Sequence, residues 1–130
     1  MKTFVFISSI FVVLILISCA KKDPQHALLD NFFRDYIKRA DAKAALQWSA
    51  GAARQKLEDE IAQVAGQPRP LELPDISYKV FSTHNEADTT VYDLMLTIEE
   101  KDAPSFTREL LVSQALISDD LKIVDYQFVK

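Results

Sequence analysis

The chain is poor in the residues that most catalytic and cofactor-binding motifs require. Its two glycines, Gly51 and Gly66, stand apart in the sequence, so there is no glycine-rich loop to hold a phosphate. Its two histidines, His26 and His84, match no metal-binding spacing, and no serine lies in a nucleophile elbow. We therefore predict no catalytic residue, no metal ligand and no cofactor.

Basic charge and cysteine are also scarce. The chain has 15 Lys and Arg residues against 19 Asp and Glu residues, and its formal net charge is −4. Nucleic acids bind mainly through Lys and Arg that neutralise phosphates, so we expect no nucleic-acid partner. The chain has one cysteine, Cys19, which excludes an internal disulfide and leaves the fold to its hydrophobic core.

The N-terminal segment has the pattern of an export signal. Lys2 precedes an apolar run from Phe4 to Ile17 that only Ser8 and Ser9 interrupt. This run is shorter than the roughly 20 residues needed to span a bilayer, and it fits the apolar region of a signal peptide. The alternative is an uncleaved membrane anchor in which the cysteine is incidental.

The end of this run, Leu16-Ile17-Ser18-Cys19, resembles the processing site of bacterial lipoprotein precursors. The resemblance implies that Leu16, Ile17 and Ser18 are read by the signal peptidase, that cleavage precedes Cys19, and that Cys19 is acylated. Residues 1–18 would then be a signal peptide, residues 19–23 a lipidated tether and residues 24–130 one domain. Ala20 stands where Asp would resemble an inner-membrane retention signal. We therefore expect anchoring in the lipid bilayer at the periplasmic face of the outer membrane.

Periodicity predicts helices first and strands afterwards. Apolar residues at helical spacing predict an amphipathic helix from Pro24 to about Arg39, capped by Asp23. Asp41 is predicted to cap a short second helix and Ser49 a third, which ends at Gly66. Alternating residues predict four strands, at 76–80, 92–98, about 105–117 and 121–129, with 84–88 as a hairpin loop. Short polar connections favour antiparallel neighbours, so the expected fold class is α+β, with the N-terminal helices packed on one face of a four-stranded antiparallel sheet.

Within this pattern, the helix through Phe32-Phe33, the segment 41–46 and the last strand at 121–126 resemble the nuclear transport factor 2-like superfamily. That resemblance implies a curved sheet wrapped around a long N-terminal helix. A cystatin-like sheet around a helix satisfies the same pattern. Some enzymes of the superfamily use an acid, a histidine and tyrosines in the pocket between helix and sheet. The residues of this chain that such a pocket would use are Tyr36, Tyr78, His84, Tyr92, Asp93 and Tyr126.

The alternation of the second strand argues against a full catalytic set. Tyr92, Leu94, Leu96 and Ile98 share one face, which we assign to the core, and Asp93 then points to the other face. We assign the four tyrosines, Tyr36, Tyr78, Tyr92 and Tyr126, to core packing with a possible role in a pocket. On the opposite face, Phe81, Val91, Met95, Leu111, Ile117 and Ile123 alternate with the core residues. Of these, Phe81, Met95 and Leu111 are the candidates for a surface that binds a second copy or another envelope protein.

Two functions are consistent with this sequence. The first is a membrane-anchored lipoprotein whose small domain binds or scaffolds without catalysis. The alternative is a small-ligand carrier or an enzyme that uses the pocket between helix and sheet. Fold alone does not decide between them.

Overall fold

The computed structural model describes residues 23–68 and 72–129. The helical part comes first and consists of α1 (Pro24–Phe32), a π-helical segment (Phe33–Lys38), α2 (Ala42–Ala45), a 3₁₀ turn (Leu46–Trp48) and α3 (Gly51–Val64). The strands follow as β1 (Asp75–Glu86), β2 (Thr89–Glu99), β3 (Phe106–Ile117) and β4 (Asp120–Phe128). The fold is α+β, with helices packed against an open four-stranded antiparallel sheet, as the sequence predicts.

The first helix changes its winding halfway. Asp23 caps α1 by accepting a hydrogen bond from the Gln25 amide at 3.0 Å, and Pro24 occupies the first turn, where its missing N–H costs nothing. After Phe32 the chain continues as a π-helix, and the Arg39 amide donates to the Arg34 carbonyl at 3.0 Å. The predicted helix therefore covers the expected residues with the expected buried face, but its second half is wound as a π-helix. Helical spacing of apolar residues does not distinguish an α-turn from a π-turn.

The next two helices are joined by a short extended link. Asp41 caps α2 as predicted, by accepting from the Ala44 amide at 3.1 Å. The prediction that Ser49 caps α3 was wrong, because the Ser49 hydroxyl donates backward to the Ala45 carbonyl at 2.8 Å. The Ala50 amide donates to the Ile123 carbonyl at 2.9 Å, so this link lies along β4. The requirement to pair with β4 overrides the local capping signal at Ser49.

Gly66 takes the predicted role at the end of α3. The helix ends at Val64, and Gly66 follows with a φ of +81°, a conformation that L side chains rarely adopt.

The sheet is a meander in the order β1-β2-β3-β4, with each neighbouring pair antiparallel. The first hairpin is tighter than predicted, because β1 continues to Glu86. The prediction that His84 lies in a hairpin loop was therefore wrong: His84 pairs with Val91 across the β1–β2 ladder. Polar residues at the end of a long edge strand have the composition of a loop, although the backbone there is paired.

The core lies between the helices and one face of the sheet. Tyr92, Leu94, Leu96 and Ile98 all face it, as predicted. The placement of Ile123 on the outer face was wrong, because Ile123 is fully buried in the core. Its strand contains a register irregularity: Ser113 pairs with Asp125 and Gln114 with Ile123, so one extra residue shifts the alternation. In the described ranges, no helix combines the length and the apolar character needed to cross a bilayer.

Candidate functional site

A cavity of about 370 Å³ opens at one end of the interface between the helices and the sheet. The π-helical segment and the residues after it form one wall, the C-terminal half of α3 forms a second, and strand residues form the floor. Most of the lining is apolar. The lining residues are Tyr36, Ile37, Ala40, Ala42, Glu60, Gln63, Val64, Ile76, Leu96, Ile98, Arg108 and Phe128.

Three polar side chains from separate elements meet beside this cavity. The Tyr36 hydroxyl donates to Glu60 Oε1 at 2.5 Å, and the Tyr126 hydroxyl donates to the same oxygen at 3.4 Å. The two tyrosine rings also pack together, with their centroids 4.9 Å apart. The π-helical segment, α3 and β4 are therefore tied together by one carboxylate oxygen.

Both phenols stay neutral over the whole physiological range. Burial raises the pKa of Tyr36 far above its ordinary value, and the hydrogen bond to Glu60 adds to this effect. Burial likewise raises the pKa of Tyr126, to about 12. Neither phenol is suited to act as a general base near neutral pH, because such a base needs a pKa near the working pH. Their role is to donate hydrogen bonds to Glu60.

Arg108 brings a positive charge to the floor of the cavity. It pairs with Leu96 across the β2–β3 ladder, so its side chain starts from the same face as the core residues. Its guanidinium lies 4.1 Å from the centre of the Phe128 ring, within the range of a cation–π interaction. Among the described residues, no carboxylate forms an ion pair with it.

A second polar cluster, formed by Asp35, Arg34 and Trp48, stabilises the helical segment that forms one wall of the cavity. Asp35 is buried, and its Oδ2 accepts from the Trp48 indole N–H at 2.8 Å. Arg34 Nε donates to Asp35 Oδ1 at 3.1 Å. The hydrogen bond from Arg34 is the largest influence that lowers the pKa of Asp35, and the bond from Trp48 acts in the same direction against burial. This carboxylate fixes the π-helical segment to the 3₁₀ turn.

The four tyrosines predicted for a pocket divide into two groups. Tyr36 lines the cavity and Tyr126 shares its Glu60 partner. Tyr78 and Tyr92 lie elsewhere along the core: the Tyr78 hydroxyl donates to Asp30, and the Tyr92 hydroxyl donates to Gln25 at 3.0 Å. These two tyrosines join α1 to the sheet.

The other candidate members of a catalytic set are also separated. His84 is half exposed on β1, and its Nε2 lies 3.1 Å from Glu86 Oε1. Asp93 lies on the face of β2 opposite to the core residues. There it forms a hydrogen bond with Glu109 that raises the pKa of Glu109. Within residues 23–68 and 72–129, no three His, Cys, Asp or Glu side chains are grouped to hold a metal ion.

The predicted partner surface is broken up by polar residues. Phe81 lies at a register irregularity of β1 and is 54% exposed. Met95 is flanked across the ladders by Lys79 and Glu109. Leu111 is flanked by Asp93 and Gln127. Met95 and Leu111 are thus interspersed with charged and amide side chains, and Phe81 lies outside the regular pairing of β1 with β2.

The sequence patterns did not identify two of the cavity residues, Glu60 and Arg108, as site residues. The signal for Arg108 was present, because it is in phase with Leu110 and Val112, which face the core. Glu60 follows Asp59, and the sequence of these two residues is typical of a solvated acidic pair. The hydrogen bond between Glu60 and Tyr36 depends on how α3 packs against the first helix, which the sequence does not show. The predicted lipidation site Cys19 and the processing residues Leu16, Ile17 and Ser18 lie outside the described residues.

Comparison of the chain with models of known protein families, with curated proteins and with solved structures finds no match.

Proposed function

We propose that this chain is an envelope lipoprotein whose domain binds a small, largely apolar ligand without transforming it. The observation that carries the proposal is the cavity of about 370 Å³, which has a largely apolar lining and a few convergent polar groups. Ligand sites have this character, with volumes of about 300–1,000 Å³. The carrier alternative from the sequence thus has more support than a scaffold, whose apolar face is interrupted by Lys79, Asp93 and Glu109.

Binding without catalysis follows from the chemistry of the cavity walls. The phenols of Tyr36 and Tyr126 are neutral donors, and both are directed to Glu60. His84 lies on β1 and interacts with Glu86. The cavity therefore supplies shape and hydrogen bonding, and lacks a histidine that would exchange protons near neutral pH.

The anchoring part of the proposal is supported by the sequence Leu16-Ile17-Ser18-Cys19. Acylation of Cys19 would hold the domain close to a bilayer, since two or more acyl chains bind a membrane firmly. We expect intact-mass analysis of the membrane fraction to find a chain that begins at Cys19 and carries acyl groups. Cys19→Ser should accumulate as unprocessed precursor, because a hydroxyl does not replace the thiolate. An unmodified Cys19 in a chain that starts at Met1 would refute the anchor.

The finer fold type is also a proposal. A curved sheet around an N-terminal helix is what the nuclear transport factor 2-like superfamily would supply, and a cystatin-like arrangement is the alternative. An experimental structure would separate the two by the curvature of the sheet and the path of the helix.

The ligand-binding claim is tested with a neutral apolar probe, 1-octanol, and methyl NMR. The full chain, in nanodiscs of phosphatidylcholine, is observed through the methyl groups of Ile37, Ile76 and Ile98, which line the cavity. We expect saturable shifts at these methyls and none at Ile123, which is buried elsewhere in the core.

Ile76→Trp should fill the cavity and abolish the shifts. Thr83→Trp on the same strand lies outside the cavity lining and serves as the matched control. Uptake of 1-octanol by the bilayer is equal for the two variants. Equal shifts in both variants, or none in the wild type, would refute the ligand-binding function.

A further inference from the structure

We propose that the ligand of this cavity is an anionic amphiphile, a carboxylic acid with an apolar body, and that Arg108 binds its carboxylate. The proposal rests on the ligand-binding function above and specifies its ligand class. It starts from the one charged residue among the cross-strand partners of the core-facing β2 residues. The residues that pair with the core-facing positions of β2 are apolar, aromatic or hydroxyl-bearing, except Arg108.

Arg108 is on the core-facing side of β3, but β3 is exposed from Phe106 to Arg108, so this charge keeps contact with solvent while it lines the cavity. Arg108 pairs with Leu96, which is 1% exposed, and both residues line the cavity. The guanidinium lies over the Phe128 ring, 4.1 Å from its centre, and the residue is exposed. Stacking on one face leaves the N–H groups in the guanidinium plane available to an incoming acceptor.

The two charged residues of the cavity differ in whether their charge already has a partner. Glu60 Oε1 accepts from both Tyr36 and Tyr126, so the negative charge already has donors. Arg108 has no carboxylate partner in the part of the chain that the structure describes, and its N–H groups are directed to none. A ligand carboxylate fits this deficit, since Arg and a carboxylate form two parallel charge-assisted hydrogen bonds. The apolar body would then lie against Ile76 and Ile98 on the floor.

The polarity of the cavity sets the orientation of such a ligand. A carboxylate near Glu60 would be repelled, while the same group at Arg108 is attracted, so the head group has one favourable end. The volume of about 370 Å³ is near the lower limit for ligand pockets and suits one short chain or a small ring system.

The test compares three probes with the same apolar chain: octanoate, 1-octanol and octylamine. The full chain in phosphatidylcholine nanodiscs is titrated at neutral pH, and the methyl shifts of Ile37, Ile76 and Ile98 report binding. The free concentration of each probe is measured in the presence of the nanodiscs, so that partition into the bilayer does not bias the comparison of affinities between probes or variants. We expect octanoate to bind about tenfold or more tightly than 1-octanol, which corresponds to about 1.4 kcal/mol.

Arg108→Gln should remove this advantage for octanoate and leave 1-octanol unchanged. Arg54→Gln removes the same charge from an exposed site on α3, where Arg54 pairs with Glu58, and should change neither affinity. Arg108→Lys keeps the charge and loses the planar fork, so its octanoate affinity should lie between those of wild type and Arg108→Gln. An unchanged Ile123 methyl signal shows that each variant is folded.

The outcomes separate this proposal from the function on which it rests. Equal affinity for octanoate and 1-octanol, with no effect of Arg108→Gln, would overturn the ligand class and leave a binding cavity. Tighter binding of octylamine, lost in Glu60→Gln, would overturn it in favour of a cationic ligand. No cavity shift with any of the probes would refute both the ligand class and the ligand-binding function.

Discussion

Asp35→Asn removes one buried negative charge without changing the size of the side chain. Asp35 is 2% exposed and joins the π-helical segment to Trp48, whose indole N–H donates to it at 2.8 Å. Arg34 contacts the carboxylate through Nε at 3.1 Å, and Arg39 Nη1 lies 3.7 Å away. The amide of Asn still accepts from Trp48 but attracts neither arginine.

The expected loss is about 2 kcal/mol in the free energy of unfolding. A hydrogen bond to a charged group contributes roughly 1.5–3 kcal/mol and one between neutral groups about 1 kcal/mol, so neutralisation costs about 1 kcal/mol at the indole. The guanidinium groups of Arg34 and Arg39 are about half exposed or more, and each such pair adds no more than about 1 kcal/mol. This loss is a substantial part of a typical stability of about 5–15 kcal/mol.

The loss should depend on pH in a defined direction. The Arg34 hydrogen bond, followed by the bond from Trp48 and the charges of Arg34 and Arg39, holds the pKa of Asp35 below its ordinary 3.8. A lowered pKa means that the stabilisation is fully present above the unfolded value. It is lost as the pH falls through the folded value. The difference between wild type and Asp35→Asn should be constant from pH 5 to 8 and shrink below pH 4.

Urea unfolding followed by tryptophan fluorescence measures this difference directly, because Trp48 is the sole tryptophan and contacts Asp35. With a slope of about 1–3 kcal/mol per molar urea, 2 kcal/mol moves the midpoint by about 1 M. Lys56→Met, which breaks the half-exposed pair with Asp125, should shift the midpoint less. A midpoint for Asp35→Asn equal to wild type at pH 7, or a difference that persists unchanged at pH 3, would refute the role of the charge.

Two further predictions concern the core. Phe32→Ala and Phe33→Ala should each lower the free energy of unfolding by about 3–5 kcal/mol, since both rings are almost fully buried. Val64→Ala, at a 54% exposed site, should lower it by about 0.5 kcal/mol or less. Urea unfolding at pH 7 measures all three changes, and an unchanged stability in both Phe variants would contradict the placement of the first helix. The raised pKa values of Tyr36 and Tyr126, caused first by burial, mean that stability is fully present below the unfolded value of 10.0 and is lost as the pH rises through the folded values. Urea midpoints measured from pH 8 to 11.5 should fall above pH 10, and the fall should be smaller in Tyr36→Phe; an equal fall in that variant would assign the alkaline loss elsewhere.

Simple periodicity predicted the elements of this fold wherever the backbone was regular. The alternation of Tyr92, Leu94, Leu96 and Ile98 identified the core face because β2 is uninterrupted between its neighbours. The same rule failed for Ile123, since one extra residue in β4 shifts the phase by one position. Such insertions are set by how two strands meet, and neither strand alone reveals them.

The candidate site was less predictable than the fold, for a related reason. Tyr36 was suspected because it is aromatic and lies on the first helix, but its partner Glu60 is 24 positions away in the sequence. The π-helical turn that contains Tyr36 has no distinctive composition. Arg108 was in phase with the core residues of β3 and was the one available sequence signal for a charged cavity.

The cavity and the Asp35 cluster share the π-helical segment, so ligand binding and stability should be linked. A ligand held by Arg108 on the sheet and packed against Ile37 on that segment would bind the folded state and not the unfolded chain. At a free concentration of about 100 times its dissociation constant, such a ligand adds about 2.7 kcal/mol to the free energy of unfolding. Octanoate at that level should therefore restore Asp35→Asn to wild-type stability or slightly above it. It should not restore the double variant Asp35→Asn, Arg108→Gln at the same concentration, because the second change weakens binding about tenfold or more. If octanoate stabilises the single and double variants equally, its effect comes from the bilayer or from a nonspecific site, and the assignment of Arg108 fails.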